Sequence, residues 1–172
     1  MRIETQPGID GEIMHFFPDA ELAYCEYAET IDAETSALAK NILAIDGVAA
    51  VLITPDCLSA AKRDFAVWED LKPQVLAEIA DAFAEGTITA TKRQRPEQLI
   101  AGLIKLRIRP AIRKDGGDIV FHGFENGVVY VELRGKCVGC PHSQRTLKDG
   151  VERLLKSYVP EVLAVEKASG GL

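Results

Sequence analysis

The 172-residue sequence predicts an α+β fold of two small domains, each a small, mainly antiparallel sheet packed with helices. Three observations carry that expectation. Strand-like runs and helical stripes come in mixed order: strands, helix, strands, helix in the first half, then helix, hairpin, helix, strand in the second. Charge also splits along the chain, because residues 1–91 hold 5 Lys and Arg against 17 Asp and Glu, whereas residues 92–172 hold 15 against 9. Between the halves runs GTITATKRQRPEQ, where a glycine, a threonine-rich stretch and a basic cluster precede Pro96. That is the composition of an exposed linker. The expected division is an N-terminal domain over 1–86, a linker over 87–95 and a C-terminal domain over 96–172.

In the N-terminal half, RIETQ and EIMHFF read as short strands and AYCEYA as a third. Asp32 is placed to cap a helix with Leu38, Ile42 and Ile45 at helical spacing, and Gly47 stands where a C-cap glycine belongs. VAAVLIT and CLSAAK follow as two strands separated by the turn signal Pro55-Asp56. A helix from about Asp70 closes the domain, its stripe Leu71, Val75, Ile79 and Phe83 running toward Gly86.

The C-terminal half opens with PEQLIAGLIKLRIRPAIRKDGGD, in which Leu99, Leu103, Leu106 and Ile112 share a helical face. Pro110 is expected to kink or divide that helix, and Gly116-Gly117 to end it. DIVFHGF, the turn Asn126-Gly127 and VVYVEL make a hairpin, since Asn-Gly suits the two-residue turn whose twist matches paired strands. A helix from about Pro141 carries Leu147, Val151, Leu154, Leu155 and Tyr158 on one side and stops at Pro160. VLAVEKA is the expected last strand. No internal repeat or low-complexity segment stands out.

A 47% hydrophobic content with 27% charge describes an ordinary soluble protein. No window approaches the run of about 18 apolar residues that a spanning helix needs, so no membrane partner is expected. The opening MRIETQPGIDGE has neither the apolar core of a signal peptide nor the Arg-rich character of a transit peptide, which places the expected compartment in the cytosol. There the four cysteines are expected to stay reduced rather than form a disulfide framework. Cys25 and Cys57 fall in expected strands without a nearby partner and read as buried small residues. Trp68 reads as an anchor packing a helix entry. Lys92 to Lys114 hold 8 Lys and Arg against one acid, Glu97, but no aromatic is interleaved and the whole chain is acidic, so nucleic acid is not an expected partner. Docking of acidic partner proteins, or of the acidic N-terminal half itself, fits the charge split better. No phosphate-cradling loop, HExxH or Ser/His/Asp set with a motif is present, and an enzyme is not expected. Asp115-Gly116-Gly117-Asp118 lacks the remaining ligands of a calcium loop and reads as a helix-ending turn.

The chemistry concentrates in GKCVGCPHSQRTLKDGV, residues 135–151, where Cys137 and Cys140 stand two residues apart after a strand and before a helix. The positive end of the helix dipole and unpaired backbone N–H groups favour the thiolate there, and Lys136 and Arg145 add positive charge. Ligand counting separates the candidate chemistries. Tetrahedral zinc wants four ligands, and only His142 and His122 are candidates to join the two sulfurs. A c-type haem needs a histidine where Pro141 stands. A thioredoxin-like pair needs a βαβ unit with the cysteines opening its helix, which the helix, hairpin, helix, strand order disfavours without removing. An iron–sulfur cluster wants four thiolates, and two copies of this loop across a two-fold axis supply them.

IRPAIRKDGGDIVFHG, GKCVGCPHSQRTLKDGVERLL and YVPEV closely resemble the C-terminal domain of NifU, the Nfu domain of iron–sulfur cluster assembly, over residues 97–168. MHFFPD and WEDLKPQVLAEI in the first half resemble the Nfu N-terminal domain, although ETQPGIDGEI departs from the family's Thr-Pro-Asn-Pro run. The resemblance implies a cluster scaffold or carrier, not an enzyme. It implies a 4Fe-4S cluster shared between two chains, with Cys137 and Cys140 as the metal ligands of each. It further implies a homodimer on cluster binding, with apo iron–sulfur proteins and cluster-assembly proteins as partners. The alternative use of the same two sulfurs is thiol–disulfide exchange.

Overall fold

The computed structural model describes residues 1–88, 94–136 and 141–168. They divide into two compact units, Met1–Gln94 and Arg95–Leu172.

The first unit is a five-stranded antiparallel sheet of β1 (Ile3–Pro7), β2 (Ile13–Pro18), β3 (Glu26–Ala28), β4 (Val48–Thr54) and β5 (Cys57–Lys62), ordered β1-β2-β5-β4-β3. Two helices, α1 (Ala37–Ala44) and α2 (Trp68–Ala84), supply the rest of its core. Strand alternation sends Met14 and Phe16 into that core together with Val51 and Ile53 of β4. Leu38 and Ile42 of α1 and Leu71, Val75 and Ile79 of α2 meet them, each at most 2% exposed. Burial of that kind contributes about 1.5–3 kcal/mol per large side chain before entropy is counted. At the sheet's β3 edge the side chain of Gln94 acts as a further strand would: Tyr27 N donates to its Oε1 at 2.6 Å, and its Nε2 donates to Tyr27 O at 2.5 Å. That satisfies backbone groups an edge strand otherwise leaves open.

Two local expectations shift here. Asp32 does not cap α1; its Oδ1 instead accepts from Glu34 N and Thr35 N, both at 2.9 Å, closing a turn of its own. Ser36, four residues on, is the N-cap, with its Oγ accepting from Ala39 N at 3.2 Å. Gly47 is not the C-cap either, because the helix ends on an extended Ile45. Gly47, at φ 99°, belongs to the turn into β4, where a Cβ would stand 2.7 Å from that of Ala66.

The second unit opens with α3 (Pro96–Leu103), Pro96 occupying the first turn where its missing N–H costs nothing. Pro110 then divides the helix as the sequence predicts. It has no N–H to give the fourth carbonyl back, and the ladder slips to a π-helical turn over Ile104–Ile108, with Arg109 N donating to Ile104 O. A short α4 (Arg109–Lys114) follows and ends at Gly116, φ 83°. β6 (Gly117–Glu125) and β7 (Val128–Gly135) form the expected hairpin through Asn126 and Gly127, whose φ values of 51° and 81° are those the turn requires.

α5 (Pro141–Tyr158) leads to β8 (Ala164–Lys167), which pairs with β7 in parallel. The sheet is thus mixed: the longer β6–β7 pairing is antiparallel and the shorter β7–β8 pairing is parallel. The reason is length: an 18-residue helix spans about 27 Å, enough to carry the chain back beside the start of β7. Val151 and Leu155 seat α5, and Glu152 Oε2 accepts from Val165 N at 3.0 Å. The Val-Pro-Glu-Val run closes the unit onto the hairpin turn, where Leu163 N and Ala164 N both donate to Gly127 O, at 2.7 and 3.2 Å.

Gly127 is thus held by conformation and by space, since a Cβ there would stand 2.7 Å from Leu163 Cδ1. Gly127→Ala is expected to lower the unfolding free energy by about 1–2 kcal/mol, because a positive φ costs an L residue about that much. Urea denaturation followed by circular dichroism measures it, and an unchanged midpoint would contradict this account of the turn.

Candidate functional site

Cys137 and Cys140, the sequence-predicted ligands, lie outside the described residues, as does Gly139. What the structure describes is the frame on either side: Gly135 ends β7, Lys136 follows, and α5 begins at Pro141. Strand β7, helix α5 and parallel strand β8 make a βαβ unit with the cysteines just ahead of its helix. The sequence argument against a thioredoxin-like pair rested on the lack of such a unit, and that argument does not hold.

The entry to the cysteine segment is clamped by two glycines and an ion cluster. Gly135, at φ 71°, passes so close to the α4–β6 turn that a Cβ would meet Gly116 O at 2.6 Å and Gly117 Cα at 3.2 Å. Both neighbours are backbone and cannot swing aside. Lys136 N donates to Gly116 O at 3.3 Å, and its side chain lies along Gly116, 3.1 Å from where a Cβ would be. The DGGD run therefore does more than end a helix: its glycines form the bed on which Gly135 and Lys136 lie.

Asp118 holds that bed in place. Arg109 Nε and Nη2 donate to its two carboxylate oxygens at 2.8 and 2.9 Å, and Arg113 adds longer contacts of 3.3 and 3.4 Å. Asp118 also caps its own strand start, its Oδ1 accepting from Ile119 N at 2.9 Å. The side-chain hydrogen bonds from Arg109 push its carboxyl well below the usual carboxylate range. Sequence reading missed this role. Its signal was present: two arginines four apart on one helix face, followed by an acid just past a Gly-Gly turn.

Farther along the hairpin, Glu132 accepts from Arg134 Nε at 2.7 Å and lies 2.9 Å from His122 Nε2. Arg134 and then His122 hold the Glu132 carboxyl down at about 2. His122, weighed above as a zinc ligand, is thus engaged with a carboxylate. The side chain of His142 lies outside what is described. Arg145 and Lys148 border an open groove of about 510 Å³ between α5 and the sheet, floored by Ile119, Val131 and Leu133.

Elsewhere, Cys57 is buried and Cys25 only half-buried, and neither is in a disulfide. Trp68 anchors the entry of α2 as expected, 9% exposed and edge-on to Phe16. Among the described residues no group of three or more His, Cys, Asp or Glu is arranged to hold a metal ion, and no helix is long and apolar enough to cross a membrane. The basic stretch near Pro110 is partly structural, since Arg109 and Arg113 are committed to Asp118.

Two family models match this chain: "Scaffold protein Nfu/NifU N terminal" over residues 3–86 and "NifU-like domain" over residues 100–166. The chain is 36% identical over 183 residues to the NFU1 iron-sulfur cluster scaffold homolog, mitochondrial, of Drosophila ananassae, with 97% of this chain and 64% of that protein covered. It is 36% identical over 184 residues to the protein of the same name from Drosophila persimilis, covering 97% and 65%. The chain thus spans somewhat less than two thirds of these relatives' length. A solution structure of a NifU-like protein from Saccharomyces cerevisiae is similar at 22% identity and a TM-score of 0.46, over 51% of this chain and 82% of that one.

Asp118→Asn is expected to cost about 1–2 kcal/mol of unfolding free energy, the value of a charge-assisted pair discounted for partial exposure. The sign with pH follows from the depressed folded-state pKa. The stabilisation is complete above the unfolded value of about 4 and is lost as pH falls below it. Urea titrations at stepped pH check this: the variant is expected to show a shallower loss below about pH 4, and parallel curves would contradict the anchor role.

Proposed function

Because this chain belongs to the Nfu family, joining an Nfu/NifU scaffold N-terminal domain to a NifU-like domain, we propose that it carries a 4Fe-4S cluster. Two copies hold it through Cys137 and Cys140 and pass it to apo iron–sulfur proteins. The observation that carries this reading is position. Both cysteines fall between the end of β7 and the start of α5, within the stretch matched by the NifU-like domain.

Each step of the chemistry has a physical source. Pro141 begins an 18-residue helix, and the positive end of its dipole favours thiolate over thiol for cysteines that immediately precede it in sequence. One chain supplies two thiolates and a cluster of this kind wants four, so a second copy completes the set. The Gly116–Gly135 contact and the Asp118 anchor keep the entry to the segment in one conformation, reducing the order that must be imposed when the cluster binds. Ligation at an interface between chains is also reversible. A recipient thiolate forms an Fe–S bond as one of the carrier's breaks, the released thiolate takes a proton from solvent, and no electron changes hands. The cluster is cargo, and the protein is a scaffold or carrier rather than an enzyme.

The N-terminal unit is assigned to choosing or orienting cluster-assembly proteins and recipients. The cytosol expected from the sequence and the mitochondrial setting in the relatives' names are both reducing, which is all the proposal requires. The rival reading, thiol–disulfide exchange, is favoured by the parallel β7–α5–β8 unit that resembles the setting of such pairs.

Anaerobic reconstitution with iron and sulfide separates the two. The expected product is a coloured dimer that loads a 4Fe-4S apo-ferredoxin. Cys137→Ala and Cys140→Ala each lower bound iron to background, while Cys25→Ala leaves it unchanged. A colourless monomer, or a cluster retained by Cys137→Ala, defeats the proposal. Turnover of a disulfide substrate at a thioredoxin-range potential would establish the rival.

A further inference from the structure

The β1–β2 turn and the β5–α2 loop of the first unit are laced together. Lys62 N donates to Glu12 O at 2.9 Å, Trp68 Nε1 donates to Gly11 O at 3.0 Å, and Lys62 Nζ pairs with the Glu12 carboxylate at 3.3 Å. On these two joined loops stand Ile9, 54% exposed, Phe65, 70% exposed, and Val67, 49% exposed. They are half of the six large hydrophobic side chains exposed among the described residues. A concentration of that kind marks an interaction surface more often than scattered single residues do. Phe65 is the natural anchor, a rigid side chain presenting much apolar area for little lost rotamer freedom.

The surrounding charge selects the partner. Asp10 and Asp64 flank the apolar residues in sequence, and Glu69 and Asp70 form the first turn of α2 directly after Val67 and Trp68; all four are exposed. Glu12 is matched by Lys62, which leaves Arg63 as the exposed cation of these loops. A two-fold contact with a second copy would set this acidic rim against itself. Anionic lipid headgroups and nucleic acid are repelled for the same reason.

We propose that Ile9, Phe65 and Val67 form a docking surface for a cationic amphipathic helix of a partner protein, its apolar face on Phe65 and its Lys and Arg over the acidic rim. The surface is built wholly from the first unit and does not depend on the cysteine segment carrying a cluster.

Trp68, the single tryptophan of the chain, is hydrogen-bonded to one of the two loops and follows Val67, so its emission is a probe of changes at these loops. The full-length protein without cluster is titrated with a synthetic amphipathic helix of leucine and lysine. A leucine–glutamate helix and anionic phosphatidylglycerol vesicles serve as comparisons. The expected result is a saturable shift in Trp68 emission with the leucine–lysine helix, weakened severalfold at high salt. Joint Phe65→Ser and Val67→Ser should lower the affinity by about tenfold or more without lowering the thermal midpoint, since Val67 is the N-cap of α2, a position that favours serine. Joint Asp64→Lys and Glu69→Lys should turn the preference toward the leucine–glutamate helix. Equal binding of the two helices, an unchanged affinity in the Phe65/Val67 variant, a shift produced by the vesicles, or apo-protein self-association abolished by Phe65→Ser would each overturn the proposal. None of these readouts involves iron, so the docking surface and the cluster reading stand or fall separately.

Discussion

Everything described around the cysteine segment depends on one close approach, that of Gly135 to Gly116. Three backbone segments converge there: the end of α4, the start of β6 and the end of β7. They come near enough that a single methyl group would have no room. Backbone cannot be packed that tightly by apolar burial alone, since this corner is exposed. Asp118 supplies the missing restraint, drawing Arg109 and Arg113 of α4 onto the first turn of β6. A bidentate pair of this kind is directional as well as attractive, so it fixes the angle at which α4 leaves and β6 begins. Remove the close approach and the chain ahead of Cys137 has no defined starting point.

That dependence explains why the motif residues are of such different types. Gly116 and Gly135 are required by positive φ and by space, Asp118 by charge, and Gly127 by the docking of the Val-Pro-Glu-Val run. None of the four needs to touch a cluster. They build the frame, and in the sequence Cys137 and Cys140 fall between the end of β7 and the start of α5. The thiolates are the only parts of this arrangement for which the proposed chemistry asks directly.

Features set by neighbours in sequence were legible. The Asn126-Gly127 hairpin, the break at Pro110, the apolar stripe of α2 and the change of charge sign between the halves all follow from local rules. Features set by competition or by distance were not. Asp32 and Ser36 are both good caps, and only the turn that Asp32 closes on Glu34 and Thr35 decides between them. The parallel pairing of β8 is a property of how far α5 reaches, which no pattern within β8 records. Asp118 looked like the tail of a turn motif because its partners lie on the preceding helix. The two cysteines were conspicuous as residues, whereas the clamp that leads into them becomes visible only when three segments are brought together.

The two units divide the labour by charge and by surface. The first, acidic overall, displays Phe65 and its neighbours on joined loops; the second, basic overall, contains Cys137 and Cys140, the two ligands of the proposed four-thiolate site. Under the proposed function each chain supplies two of the four thiolates, and a second copy supplies the other two. Native mass spectrometry of the anaerobically reconstituted protein tests that claim most directly. The account predicts a species with the mass of two chains and one four-iron, four-sulfide cluster, falling apart to bare monomers when the cluster is removed. A cluster found on a single chain, or a dimer that persists unchanged without it, would contradict the account.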